Sequence, residues 1–281
     1  MRYGFSTGAL AKGDFKAGLA MLEAHAFEGV EVSALRMCEL PALIEAFATL
    51  PLERYAGHVS IHAPSKFRRD EEQALAEQIA VLAPHVDGIV LHAEAMWDAG
   101  VWRALGAKVL VENADGRKRT GRTADEMSAI FSELPDARMC LDLGHVYQVD
   151  PTLLEARRML RAFGDRIGQI HLSQLDHTCS HRPLMYGIVH ELRSIAHLVP
   201  DTMVILGQKW AEVYMKRTPG TKVQVTGGGS GIGAAISLAL AGEGAVPVIL
   251  GRDPLGSEFE RELRARQPRA HFIRLELTDE A

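Results

Sequence analysis

The sequence predicts an α/β protein in which a closed (β/α)8 barrel is followed by a smaller strand-helix-strand unit. Three observations carry this prediction. Short apolar runs alternate with longer helical patterns from Met1 to about Leu206, and strands that alternate with helices pair in parallel through right-handed crossovers. The apolar runs number eight, the strand count of a closed barrel. Five successive runs finish in an imidazole or carboxylate, and a closed barrel gathers such groups at the C-terminal ends of its strands. An open doubly wound sheet is the competing architecture.

The strands are predicted, in order, in RYGFS, GVEVSA, HVSIHAP, GIVLHAE, KVLVENA, RMCLDLGH, IGQIHLSQ and TMVILG. Between them FKAGLAMLEAHAF, EEQALAEQIAVLA and DPTLLEARRMLRAFG read as helices. The last is predicted to start with Asp150 as N-cap and Pro151 in the first helical position. A further helix is expected at Thr123, where Glu126 three residues on completes a capping box. After Leu206 the rhythm breaks at QKWAEVYMKR and a Pro219-Gly220 turn. KVQVTGGGSGIGAAISLALAGEGAVPVILGRD then reads as a new strand, glycine loop, helix and strand. The boundary falls near Val213 to Thr218, giving residues 1–213 and 214–281 as the two parts.

Composition narrows the function classes. In 281 residues, 47% are hydrophobic, enough for a sizeable core. The formal net charge of −5, with both signs interspersed, supplies no global basic field for nucleic acid. Cys38, Cys140 and Cys179 are odd in number and form no CxxC pair, so neither a disulfide framework nor a thiolate zinc cluster is indicated. No apolar stretch reaches the roughly 18 residues of a membrane span, and no secretory leader is evident. A cytoplasmic protein, compatible with a homo-oligomer, is expected.

The chemistry concentrates at the strand ends. His62, His92, Glu112, Asp142 and His171 close five consecutive strands; His145 follows Asp142, and Asp176, His177 and His181 lie in the loop after the seventh strand. Side chains alternate along a strand, so Ser60 shares a face with His62, Leu110 with Glu112, and Gln169 and Ser173 with His171. In a barrel these faces point to the axis. Imidazole and carboxylate together suit zinc, manganese, cobalt or iron, and a carboxylate-rich subset suits magnesium. A single His or Asp at a strand end is more often a local cap; five in succession lack a packing reason in apolar strands. Two basic runs, SKFRRD after the third strand and DGRKRTGR after the fifth, place Lys66, Arg117 and Arg119 on the same predicted face. They are candidates for a substrate phosphate.

The stretches SIHAP, VLHAE, LVENADGRKRTG, CLDLGH and IHLSQ…HRPLMYG resemble the xylose isomerase-like TIM barrel superfamily, over about Met1 to Leu206. That resemblance implies a metal-dependent isomerase or epimerase acting on a sugar or sugar phosphate. A divalent ion (Mn, Mg, Co or Zn) would be held by Glu112, Asp142 and His171, with Glu112 also a catalytic base and His145 orienting a substrate oxygen. The family's fourth ligand, a Glu on the eighth strand, is replaced by Gly207, which puts two-base epimerisation in doubt. The alternative within the superfamily is an endonuclease IV-like zinc phosphodiesterase acting on abasic DNA, for which His62, His92, His145 and His181 match additional ligands. Cys179 stands there in place of an Asp.

The glycine loop resembles the N-terminal piece of the short-chain dehydrogenase/reductase family, a Rossmann-like βαβ fragment, from about Met215 to Ala281. The signature residues are Thr226, Gly227, Gly231, Ile232 and Gly233, with phosphate expected at the helix N-terminus. Arg252, where NAD users often carry an acid, implies NADP. Glu276 stands where the family has Asp. The family's Tyr with a Lys four residues on does not occur after Tyr3, Tyr55, Tyr147, Tyr186 or Tyr214. The tail is therefore expected to be truncated and unable to reduce a substrate by itself. A third alternative follows, a catalytically inactive fusion product whose tail binds NADP(H).

Overall fold

The eight apolar runs fold into eight parallel strands that close on themselves. In the computed structural model, which describes residues 2–23, 27–182, 186–207, 222–226, 228–242 and 244–274, seven of these are β1 (Arg2–Ser6), β2 (Gly29–Ser33), β3 (His58–His62), β4 (Gly88–His92), β5 (Val109–Glu112), β6 (Arg138–Asp142) and β7 (Ile167–Leu172). A two-stranded antiparallel hairpin, β8 (Gln174–Leu175) and β9 (His181–Arg182), follows, and β10 (Met203–Leu206) completes the barrel. Neighbours run β1-β10-β7-β6-β5-β4-β3-β2, with β2 returning to β1. This is the TIM barrel fold.

The period of two along each strand explains the two layers of the core. Val30, Val32, Ile61, Ile89, Val111 and Leu141 are fully buried, as expected of strands covered on both faces. The alternate positions of β4, β5 and β6 turn inward. Val90, Leu110 and Cys140 pack together inside the barrel, and two residues further on His92, Glu112 and Asp142 line a cavity. Strand register finishes the arrangement: His92 pairs with Glu112, and Asp142 with His171. Residues distant in sequence thus become neighbours on one rim.

The described helices are α1 (Thr7–Ala11), α2 (Phe15–Leu22), α3 (Leu40–Phe47), α4 (Glu72–Ala80), α5 (Ala99–Trp102), α6 (Ala124–Glu133), α7 (Leu143–Val149), α8 (Leu154–Phe163) and α9 (Tyr186–Arg193). At α6 the Thr123 hydroxyl accepts from the Glu126 amide at 3.2 Å, as the capping box predicts. The return bond goes one residue further back, from the Arg122 amide to Glu126 at 2.7 Å. The start expected at Asp150 and Pro151 is corrected: α8 begins at Leu154, behind Leu153 in a left-handed conformation (φ 59°). Asp150 still acts as a cap, because its carboxylate accepts from the amides of Thr152 at 3.0 Å and Glu155 at 2.9 Å. It closes a turn around Pro151 instead of opening a helix.

The chain divides into two compact units, 1–209 and 210–281; the expected boundary at 213 lies outside the described residues. In the second unit β11 (Lys222–Thr226), α10 (Gly231–Gly242), β12 (Val246–Gly251), α11 (Ser257–Arg266) and β13 (His271–Arg274) form a parallel sheet in the order β11-β12-β13. Val225, Leu240 and Ala245 form one small core, and Ala241, Ile249, Leu263 and Ala270 another. Gly231, at the start of α10, has φ 52°, which suits glycine. Gly233 lies in the first turn, and Arg252 follows β12, ion-paired with Asp253 at 3.1 Å. Gly227 and Glu276 lie outside the described residues, as do the side chains of Thr226 and Ile232.

Candidate active site

Strands β3 to β7 each deliver one polar side chain to the barrel mouth, His62, His92, Glu112, Asp142 and His171, and Glu112 at the end of β5 is where they meet. Its Oε1 lies 2.8 Å from His171 Nδ1. Its Oε2 lies 3.1 Å from His92 Nε2 and 3.5 Å from His62 Nε2, and the two imidazole nitrogens are 3.2 Å apart. Glu112 is 2% exposed, yet Oε2 has no hydrogen-bond partner among the described residues. A buried, unsatisfied carboxylate oxygen is costly and calls for a cation or a proton donor.

The second half of the cluster is built on the Asp142-x-x-His145 turn. Asp142 caps α7 by accepting from the His145 amide at 2.8 Å, and it accepts from the Ser173 hydroxyl at 3.1 Å. Asn113 clamps this turn to β5, donating to the Asp142 carbonyl at 3.0 Å and accepting from its amide at 2.7 Å. His145 Nδ1 donates to the Asn113 carbonyl at 2.8 Å, and His62 Nδ1 to the Ala63 carbonyl at 2.9 Å. In the neutral form of each ring the proton therefore sits on Nδ1 and Nε2 is the acceptor nitrogen. His145 Nε2 lies 3.7 Å from Asp142 Oδ2, and His171 Nδ1 lies 4.0 Å from the same oxygen.

Burial alone would raise the Glu112 carboxyl, but His92 and His171 reverse this and hold it well below the usual range. Burial would lower the imidazoles; instead His171 is pushed up by Glu31 and Glu112, His62 by Glu112, and His145 by Asp142. Glu112 is thus an ionised carboxylate beside His62, His145 and His171, imidazoles that favour positive charge. Cys140, whose thiol burial pushes up to about 12, stays protonated beneath it.

The donor set fits a divalent ion. His62, His92 and Glu112 form one group, Glu112, Asp142 and His145 a second, and Glu112, Cys140 and His171 a third, with ligand atoms within 4.8 Å of one another in each. Around a four-coordinate zinc with nitrogen ligands at ~2.0 Å, donor atoms sit about 3.3 Å apart. The spacings of 3.1, 3.2 and 3.5 Å among His92, His62 and Glu112 match that edge. A protonated thiol at Cys140 makes the third group the poorest of the three.

The cavity above these groups has a volume of about 290 Å³. Of the residues predicted as ligands, His62, His92, Glu112, Asp142, His145 and His171 all line it; the side chain of His181 lies outside the described residues. Lys66, Arg117 and Arg119 are exposed and none of them lines it. Arg117 is engaged by Asp115 through contacts of 2.8 and 3.0 Å, and Lys118 by Glu94. The cation that does line the cavity is Lys12, held after α1 with φ 55°.

Sequence reasoning also missed Glu31. Its Oε2 lies 2.8 Å from His171 Nε2 and 2.7 Å from Gln169 Nε2, and Gln169 Oε1 accepts from His58 Nε2 at 2.8 Å. The signal was present: a carboxylate between Val30 and Val32 in an otherwise apolar strand.

Comparison with known proteins bears on the first unit. The family described as "Xylose isomerase-like TIM barrel" matches residues 43–211. Among solved structures, a D-tagatose 3-epimerase-like protein superposes with a TM-score of 0.52 at 15% identity, covering 74% of this chain and 91% of that one. L-ribulose 3-epimerase gives a TM-score of 0.49 at 13% identity over 75% and 82% of the two chains. The apo form of 3-keto-D-glucoside 4-epimerase from E. coli gives 0.46 at 15% over 75% and 94%. At such identities the likeness is one of fold. Residues 212–281 lie beyond the family match.

Proposed function

The chain belongs to the xylose isomerase-like TIM barrel family, and from that premise we propose that its barrel is a metal-dependent isomerase or epimerase of a sugar or sugar phosphate. The observation that carries the proposal is the meeting of Glu112, Asp142 and His171 at one cavity with the Glu112 Oε2 unsatisfied. Glu112, Asp142 and His171 would hold the ion, with His62, His92 and His145 within reach. A bound divalent cation supplies Lewis acidity toward a sugar carbonyl and its neighbouring hydroxyl.

The chain's own residues supply the rest. Glu112 is ionised at neutral pH and can take the proton from the carbon beside the carbonyl. His145, fixed through Nδ1 by the Asn113 carbonyl, presents Nε2 toward a substrate oxygen. Gly207 leaves no second carboxylate at the end of β10. A single base that takes and returns the proton on one face suits isomerisation better than inversion of a centre.

The test is wash-in of solvent deuterium at the carbon next to the carbonyl, across a panel of ketoses and their phosphates. Exchange that disappears on chelation, returns with Mn²⁺ or Co²⁺, and is absent in Asp142→Ala supports the proposal. Exchange that persists in Asp142→Ala overturns it. A second reading rests on the His62-His92-Glu112 group, which offers a further ion site as an endonuclease IV-like zinc phosphodiesterase on abasic DNA would require. Two or three zinc ions per chain together with cleavage of an abasic duplex would favour that reading; one ion favours the first.

For the second unit we propose a Rossmann-like fragment that binds NADP(H) at Thr226, Gly227, Gly231, Ile232 and Gly233 with Arg252 at the 2′-phosphate. It is supported by the parallel order β11-β12-β13 and the positive φ of Gly231 where α10 begins. An NADPH titration that shows no difference between the wild type and Arg252→Ala would remove it.

A further inference from the structure

We propose that Glu31 is a positioning residue of the metal centre, which fixes the His171 ring by accepting a hydrogen bond from Nε2 and so aims Nδ1 at the ion held with Glu112. This rests on the metal-dependent reading above and extends it to a residue on the opposite side of the barrel.

The two ring nitrogens of His171 have different surroundings. Nδ1 faces Glu112 Oε1 at 2.8 Å, the carboxylate common to all three donor groups. Nε2 faces Glu31 Oε2 at 2.8 Å, and Glu31 belongs to none of those groups. Each nitrogen faces a carboxylate oxygen at 2.8 Å, so without an ion both can carry a proton; an ion at Nδ1 takes the place of the proton there, while Glu31 retains the one on Nε2, which also lies 2.9 Å from the Gln169 amide nitrogen. Coordination through Nδ1 is thereby favoured.

Glu31 is itself held in place. It is 1% exposed, and the Gln169 amide donates to its Oε2 at 2.7 Å. The orientation of that amide is set in turn by His58, whose Nε2 donates to Gln169 Oε1 at 2.8 Å. The result is a buried chain His58-Gln169-Glu31-His171-Glu112 that spans the barrel interior. A carboxylate placed in mid-strand between two valines serves no packing purpose, and its burial is unfavourable unless it is paired. Its Oε2 is shared between the ring of a ligand and the Gln169 amide, and its Oε1 has no hydrogen-bond partner among the described residues.

The experiment uses the full chain with zinc as probe. Isothermal titration should give a zinc affinity about ten- to a hundredfold weaker in Glu31→Gln than in wild type, at unchanged far-UV circular dichroism. In ¹⁵N-histidine-labelled wild type, His171 should carry its proton on Nε2, with a resonance that moves upfield in Glu31→Gln. A zinc affinity within twofold of wild type, or a wild-type His171 without a proton on Nε2, overturns the proposal. If Glu31→Gln does not fold, the wild-type resonance alone decides. If wild type takes up no zinc, the metal reading fails on its own account, while the Nε2 proton still tests the pairing with Glu31.

Discussion

Lys12 differs from the basic residues of the loop after β5 in lining the cavity. Arg117 and Lys118 are held by Asp115 and Glu94, whereas Lys12 lines the cavity and has no ion pair among the described residues. Lys12→Ala is therefore expected to raise KM for a phosphorylated sugar about tenfold while Arg119→Ala leaves it unchanged, as steady-state kinetics on both variants will show. The Asp115-Arg117 pair predicts a pH effect. Burial pushes the Asp115 carboxyl up, but the side-chain and backbone hydrogen bonds of Arg117 outweigh this and hold it below its usual value. A carboxyl depressed in the folded state stabilises it above the unfolded value of about 3.9 and loses that contribution as pH falls through the folded value. Thermal melts between pH 6 and pH 2.5, a range chosen around that ~3.9, should thus fall more steeply for wild type than for Asp115→Asn. His62, His92, Glu112, Asp142 and His171 were legible in the sequence because each closes an apolar run. Glu31 and Lys12 were not: one lies mid-strand and meets His171 only when the barrel closes, and the other follows a helix of five residues.

At the level of elements, the approach of α7 to β7 and the open end of β10 each depend on a glycine. A Cβ on Gly144 would lie 2.3 Å from Ser173 Oγ and 2.6 Å from the Ser173 carbonyl oxygen. Ser173 is the hydroxyl that donates to Asp142. Gly144→Ala should therefore cost about 1–3 kcal/mol in denaturant unfolding and weaken divalent-ion binding, because the Asp142 turn must shift. Gly207 is the opposite case. Its added Cβ would meet only Ser173 Cβ at 3.6 Å, an ordinary contact, and Gly207 lines the cavity. Gly207→Glu should fit and supply another carboxylate, tightening Mn²⁺ binding about tenfold by titration; weaker binding would mean that the side chain cannot reach the cluster. The strands and the Thr123 cap could be read directly, since alternation and capping chemistry are local. The true start of α8 could not, because the left-handed Leu153 and the reach of Asp150 to Glu155 depend on how the turn closes. The β8-β9 hairpin, with two residues per strand, leaves no periodic signal.

For the whole molecule, closure of the strand ring is what converts five separate strand ends into one site, and it is also what composition alone could not reveal. A net charge of −5 and three free cysteines describe many barrels equally well; the order of the strand-end residues is what singles out this cluster. Among the described residues no helix is long and apolar enough to cross a membrane. The account stands on a shared cation at Glu112, Asp142 and His171. Crystals of the full chain grown with Mn²⁺ or Zn²⁺ and measured across the metal absorption edge test this most directly. An anomalous peak about 2.0–2.3 Å from a carboxylate oxygen of Glu112, one of Asp142 and Nδ1 of His171 is the predicted result. A barrel mouth without such a peak, or an ion bound elsewhere while His171 keeps its hydrogen bond to Glu112, would contradict it.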